Sequence, residues 1–255
     1  MSLRTGFCKL RHFYQAIVLQ WSNRHASPFS LSITFAALRP AHVLRPASAF
    51  CGIVFVADIG VPVQTRLMEN SPALWLRLLP QPGMADHKHP RGHLKVLSGG
   101  VSSTGAARLA VRAGLRIGAG LATLLSPPSA LMVNAGQLTA VMVKSVDGAD
   151  DVTKAIADAS VVLAGPGAGI TPATRANVEA ILSGPGRAVL DADALTVFET
   201  QQDQLFRRLR PGDLITPHIG EFNRLFGDLL ETSINKVEAV RQAAVKTGCT
   251  VLLKG

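Results

Sequence analysis

Acidic residues are missing from the first 57 positions: Met1 to Ala57 hold no Asp or Glu, while Arg4, Lys9, Arg11, Arg24, Arg39 and Arg45 contribute six positive charges. The formal net charge of +9 is therefore concentrated near the N-terminus, and from Asp58 onward 20 basic residues face 17 acidic ones. A nucleic-acid surface needs a basic stripe on the folded body, and this balance supplies none, so no nucleic-acid partner is expected. Cysteine is also scarce. Cys8, Cys51 and Cys249 are widely spaced, with no CxxC and no Cys/His pair at metal spacing. That excludes a disulfide framework and a structural zinc site, and it fits a reducing cytoplasm. Long apolar runs are absent as well. The mean hydropathy of +0.27 comes from dispersed Ala, Val and Leu, and no stretch approaches the ~18 unbroken apolar residues of a transmembrane helix. A soluble chain without a membrane partner is expected.

What is present divides the 255 residues into four stretches. Residues 1–30 are acid-free and carry Arg and Ser, as a transit peptide does, but the apolar piece AIVLQW is too short for a secretory core. A disordered or mis-started leader is the plainer reading. Residues 31–62 read as strand, proline-bounded loop and a second strand over Ile53 to Ala57. Residues 63–90 form a proline-containing connector that closes on QPGMADHKHP. Residues 91–255 are the main domain.

Within that domain strand-like and helix-like runs alternate. Strands are expected at HLKVL ending on Leu97, LATLL from Leu121, SVVLA ending on Ala164, RAVLD ending on Asp191, DLIT ending on Thr216 and TVLLK ending on Lys254. Helices are expected over Thr104 to Ile117, Thr174 to Leu182 and Ile234 to Thr247. The last should place Val237, Val240, Ala244 and Val245 on one stripe and close on Gly248 as a left-handed cap. The run Thr250 to Leu253 reads as a central strand buried on both faces, with Cys249 a small core residue at its start. Such alternation implies an α/β fold, a mostly parallel sheet flanked by helices, with binding sites beyond the strands' C-terminal ends.

Four segments stand at those ends. LSGGVSSTGAARLAV leads from a strand through Gly99 and Gly100 to a helix start with Ala106 on its first turn, which suits either close approach to an anion or tight strand–helix packing. VLAGPGAGITPATRANV sets Gly165, Gly167 and Gly169 around Pro166, a turn of a kind that exposes backbone donors. AVLDADALTVF brings Asp191 and Asp193 off a strand; Asp191 reads as the site residue and Asp193 as a helix cap. LITPHIGEFNRLFG presents His218 at a strand end and Glu221 on the first turn of a helix, as ligand contact and as metal or phosphate positioning.

Taken in order, TGAARLA, GPGAG, VLDADAL, TPHIGEF and VLLKG resemble the ADP- or ATP-dependent NAD(P)H-hydrate dehydratase family, from about His87 to Gly255. The segment TFAALRPAHVLRPASAFCGIVFVADIGVP resembles the closing strands of the NAD(P)H-hydrate epimerase domain that precedes the dehydratase in bifunctional repair enzymes, with Arg39, Pro40 and Ala41 where that family usually has Lys-Pro-Gly. His89 likewise stands where the dehydratase family commonly has Tyr. The resemblance implies a ribokinase-like fold, incomplete at the C-terminus. It also implies a repair reaction in which hydrated NADH or NADPH is phosphorylated on its ring hydroxyl by ADP or ATP, with Mg2+, and then loses phosphate. On matching positions, Ala106, Gly169 and His218 would contact the hydrated dinucleotide. Lys254 and Gly255 would open the nucleotide loop, and Asp191 and Glu221 would help arrange phosphate and magnesium.

The resemblance also places the family's Gly-Asp general base beyond Gly255, so a truncated and catalytically impaired chain is the expectation. A ribokinase-like small-molecule kinase and a non-catalytic remnant remain as alternatives, and a homo-oligomer is compatible with the sequence.

Overall fold

The computed structural model describes residues 29–81, 83 and 87–255; Cys8 and the expected leader, apart from its last two residues, lie outside them. The chain divides into two units, with the boundary between Leu79 and Pro80. In the first unit β1 (Leu31–Phe35) and β2 (Ile53–Ala57) form a parallel two-stranded sheet in which Ile33 pairs with Phe55. Both strands fall where the sequence places them. Two single-turn helices, α1 (Pro40–Val43) and α2 (Pro72–Trp75), each begin at a proline, whose fixed φ and missing N–H suit a first helical position.

The second unit is a seven-stranded, wholly parallel sheet built from β3 (His93–Leu97), β4 (Leu121–Ser126), β5 (Met142–Ser145), β6 (Val161–Ala164), β7 (Arg187–Leu190), β8 (Leu214–Ile215) and β9 (Thr250–Val251). The spatial order is β5-β4-β3-β6-β7-β8-β9. The chain thus winds outward from β3 in one direction, returns to β6 beside β3, and winds outward in the other. The connections carry α3 (Gly105–Ile117), α4 (Leu131–Gln137), α5 (Ala149–Ala155), α6 (Pro172–Ser183), α7 (Asp193–Thr196), α8 (Gln202–Phe206), α9 (Ile219–Phe226), α10 (Leu229–Thr232) and α11 (Lys236–Thr247).

Alternation along the strands splits the core between two faces. Val96 and Leu124 pack with Ala107 and Val111 of α3, whereas Leu97 and Leu125 belong to a larger cluster with Val152 of α5, Val178 and Ile181 of α6 and Phe222 of α9. Every expected strand of this domain is present, with β7, β8 and β9 ending earlier than their apolar runs suggest. β5, α4 and α5 add to the sequence reading.

Two expectations are corrected. β9 is an edge strand paired with β8, and Leu252 is 55% exposed, so Thr250 to Leu253 is not a centre buried on both faces. Helix α11 turns Ala239, Ala243 and Thr247 to the core and leaves Val245 exposed. At 100° per residue those three positions form a continuous stripe, and small side chains let the helix approach closely; Val245 falls outside it. Gly248 does close α11 in the left-handed conformation, with φ 68°. Cys249 is buried, and burial pushes its thiol pKa up, as suits a core residue.

One charged side chain interrupts β3. Lys95, on the same strand face as Leu97, is buried and donates to the Ala155 carbonyl and to Asp158. Asp158 also meets His93 Nδ1 at 3.0 Å, and His93 Nε2 lies 2.7 Å from Thr123 Oγ1. The Lys95 hydrogen bond outweighs the opposing cost of burial and, with a lesser contribution from His93, holds the Asp158 carboxyl down to about 2. Because its folded pKa lies below the ordinary carboxylate value, the stabilisation is complete above about pH 4 and is lost as pH falls through about 2. Asp158→Asn should therefore lower the urea midpoint at neutral pH, with the gap to wild type closing between about pH 4 and pH 2. Since the Asp158 side chain is 71% exposed, water screens part of this effect. A gap that stays constant through acid would show that the difference does not come from the ionised Asp158 carboxylate.

Candidate active site

In a parallel sheet all strands deliver their following loops to one edge, and ligands gather where the winding direction reverses. Here that reversal lies between β3 and β6. The loops that follow these two strands are the two glycine-rich segments singled out in the sequence, and they touch. A Cβ placed on Gly99 would lie 1.8 Å from the Gly167 carbonyl oxygen, and one on Gly167 would lie 2.7 Å from that of Ser103. Close backbone approach is what these glycines provide. Thr104, buried, begins α3, and Ala106 sits exposed on its first turn.

The next loop packs equally closely. A Cβ on Gly165 would lie 1.6 Å from the carbonyl oxygen of Asp191, just past the end of β7. Within the β6 loop the Ala168 N–H donates to the Gly165 carbonyl at 3.0 Å, and the Gly169 N–H donates to Asp193 Oδ2 at 2.8 Å. Two donors that the sequence reading left open to a ligand are thus already engaged. Asp193 opens α7 without capping it; instead its carboxylate holds the glycine loop. Between the two aspartates Ala192 has φ 50° and ψ −120°, a conformation that costs a non-glycine residue about 1–3 kcal/mol and persists only where the surroundings enforce it.

His218 and Glu221 form a reciprocal cap on α9. His218 Nδ1 accepts the N–H groups of Gly220 at 2.9 Å and Glu221 at 3.3 Å, while Glu221 Oε2 accepts the His218 N–H at 2.8 Å. Since Nδ1 is an acceptor, the neutral ring carries its proton on Nε2, which faces Glu221 Oε1 at 3.3 Å. Glu221 is buried and His218 is about half exposed, so the carboxylate orients an imidazole whose two nitrogens are engaged and whose ring surface remains open. Beyond β8 and β9 the chain continues in parallel register: the Lys254 N–H donates to the Pro217 carbonyl at 2.9 Å, and His218 lies beside Lys254. The Lys254 ammonium reaches back to Asp191 Oδ1 at 2.5 Å. Gly255 follows, next to Ile219.

The candidate site residues Ala106, Gly169, Asp191, His218, Glu221, Lys254 and Gly255 therefore all lie past the C-terminal ends of the strands of the second unit. Lys254, Asp191, His218 and Glu221 are joined by direct contacts, Gly169 is joined to the same turn through Asp193, and Ala106 is joined only through the packing of the two glycine loops. Asp193 as the anchor of the β6 loop was missed, because a carboxylate before a short helix reads as its cap. Missed too was Asn134, wholly buried, whose Nδ2 donates to Ser98 Oγ at 3.1 Å and Ser126 Oγ at 2.9 Å where β3 and β4 end. Among the described residues no group of three or more His, Cys, Asp or Glu is arranged to hold a metal ion. No helix of the described residues is long and apolar enough to cross a membrane.

Residues 94–255 match the family model for NAD(P)H-hydrate dehydratase. A bifunctional NAD(P)H-hydrate repair enzyme, Nnr, of Coxiella burnetii is 30% identical over 235 residues, which span 89% of this chain and 47% of that protein. The chain spans about half the length of the curated relatives it matches. Among solved structures, a ribokinase-like superfamily protein of Enterococcus faecalis superimposes with a TM-score of 0.60 at 20% identity, covering 75% of this chain and 69% of that one. An ADP/ATP-dependent NAD(P)H-hydrate dehydratase of Bacillus subtilis, co-crystallised with ATP and Mg2+, gives 0.57 at 25% identity, covering 69% and 62%. The fold is ribokinase-like, as the motifs implied.

Proposed function

The chain belongs to the NAD(P)H-hydrate dehydratase family, and from that premise we propose that its sheet edge binds the S-epimer of hydrated NADH or NADPH beside a nucleotide and serves their conversion to the reduced dinucleotide. The observation that carries this reading is the continuous line of contacts beyond the strands' C-terminal ends, from the Gly165–Gly169 loop at the winding reversal through the Asp191–Asp193 turn to Lys254 and the neighbouring His218 cap. In the reaction a phosphoryl group of ADP or ATP passes to the ring hydroxyl oxygen, whose proton a general base accepts. The carbon–oxygen bond then breaks, phosphate leaves with the electron pair, and loss of a ring proton restores the double bond.

Each residue has a part in this reading. Ala106 and Gly169 line the dinucleotide side, where their lack of bulk admits the ligand. His218, held as the neutral Nε2–H tautomer by Glu221, contacts the hydrated ring. Lys254 and Gly255 meet the nucleotide, with the ammonium exchanging the Asp191 carboxylate for a phosphate. Magnesium would arrive with the nucleotide phosphates, since it keeps several waters and needs only one or two protein carboxylates. Asp191 is the accessible one, because both Glu221 oxygens already face His218. We read residues 31–62 as the closing strands of an epimerase-type domain, supported by the parallel β1–β2 pair and by the bifunctional relatives.

The test is a calorimetric titration with hydrated NADPH in the presence of ADP and Mg2+, with unmodified NADPH as the comparison. The hydrate should bind the more tightly, and His218→Ala should weaken it by roughly tenfold through loss of the imidazole's ring surface as a contact, since both ring nitrogens are already engaged within the cap. Equal affinity for the two dinucleotides would overturn the reading. A phosphorylated product that persists, without return of the reduced-nicotinamide absorbance, would favour a small-molecule kinase.

A further inference from the structure

The strained turn between β7 and α7 has a place in both halves of the site. Its two carboxylates point to different partners: Asp193 accepts the Gly169 N–H at 2.8 Å, and Asp191 accepts the Lys254 ammonium at 2.5 Å. Ala192 between them holds a left-handed φ of 50° that favours glycine. The Asp191 carbonyl is pressed against Gly165 so closely that no Cβ fits. Such a backbone persists only where its neighbours over-determine it. Here the neighbours are the glycine loop on one side and the Lys254 segment on the other.

We propose that Asp193 is a positioning residue that sets the Gly165–Gly169 loop for the dinucleotide, and that Asp191, one turn residue away, separately sets Lys254 for the nucleotide. The proposal rests on the functional reading above and assigns the two halves of its site to two carboxylates of a single turn. An ionised acceptor holds a backbone N–H more strongly than a neutral one, so the glycine loop is fixed while its remaining backbone faces the ligand. The engaged Gly169 N–H is unavailable to the dinucleotide, whose contact with Gly169 is made through its Cα or carbonyl.

The experiment titrates hydrated NADH and, separately, ADP with Mg2+ into wild type and into Asp193→Ala, Asp193→Asn and Asp191→Asn. Amide hydrogen exchange is followed across residues 165–170. Asp193→Ala should weaken hydrated NADH by about tenfold to a hundredfold, as expected for loss of a charge-assisted hydrogen bond, and leave ADP within about twofold. Exchange should rise in the glycine loop and not across β3 or β6. Asp193→Asn, which keeps an acceptor oxygen, should restore most of the binding. Asp191→Asn should show the opposite selectivity, losing ADP more than the hydrate. If Asp193→Ala leaves hydrate binding unchanged, or if both ligands weaken together with a lowered unfolding midpoint, the assignment is wrong and the functional reading stands. Wild type that binds no hydrate overturns the functional reading and this assignment with it.

Discussion

Replacing Gly165 by alanine should cost the protein about 3–5 kcal/mol and, on the function proposed above, most of the binding of a hydrated dinucleotide. The added Cβ would sit 1.6 Å from the Asp191 carbonyl oxygen and 2.9 Å from the Ala194 Cβ. The nearer atom belongs to the backbone, so no side chain can swing aside. The loop after β6 and the turn after β7 must separate by about an ångström or more in a close-packed region that has no room to absorb the shift. Gly165 also has φ 126°, outside the range an alanine adopts without strain. A displacement of that size in a binding loop is enough to lose about a hundredfold in function even if the chain still folds.

Gly100→Ala is the matched control. Gly100 has φ −64°, and a Cβ there meets nothing within 4 Å. That substitution should be neutral, or stabilise by up to about 1 kcal/mol through the unfolded chain. Urea unfolding of the two variants separates the cases. A Gly165→Ala midpoint close to that of Gly100→Ala would show that the two loops are not held together as described.

The contrast between these glycines marks how far the sequence could be read. The parallel α/β architecture followed from apolar runs spaced by helical segments, because burial on both faces leaves a pattern local to each strand. The candidate site was drawn from residues of distinctive chemistry placed just after those runs: glycines near Pro166, the Asp191 and Asp193 pair, His218 with Glu221, and Lys254. The partners of those residues were not legible. Nothing near Gly169 announces Asp193, 24 residues later, as the acceptor of its N–H. Lys95 and Asp158 are 63 residues apart and meet only once β3 and α5 are packed. The edge position of β9 was misjudged for a related reason, since an apolar run reports burial without reporting how many neighbours a strand has. β5 went unread because Met142–Ser145 is short and ends on polar residues that resemble a loop.

At the opposite edge of the same strands, Asp213→Ala should lower stability by about 2–4 kcal/mol without touching any residue of the site. Asp213 is wholly buried. Its Oδ1 accepts the Ala188 N–H at 2.8 Å on β7, and its Oδ2 accepts the Arg210 N–H at 2.8 Å and faces Arg210 Nε at 3.5 Å. Its own carbonyl accepts the Thr250 N–H at 3.0 Å, so one residue ties the starts of β7, β8 and β9. The Arg210 guanidinium in turn donates to the carbonyls of Gly184 at 2.8 Å and Gly186 at 2.6 Å. Truncation to alanine leaves two backbone N–H groups without an acceptor and a guanidinium without its counter-charge. Because the Arg210 side chain is 31% exposed, water offsets part of that loss, which places the expected cost below that of a fully enclosed pair. Asp213→Asn should recover only part of it, since one amide oxygen can replace one carboxylate oxygen while the NH2 group faces a donor. In Arg210→Ala the Asp213 carboxylate keeps both backbone donors, so that variant should lose less than Asp213→Ala. The double variant should lose less than the sum of the two, the mark of direct coupling in a mutant cycle. Additive losses would show that Asp213 works through the backbone groups alone. A loss below about 1 kcal/mol for Asp213→Ala would show that the strand starts are held without it.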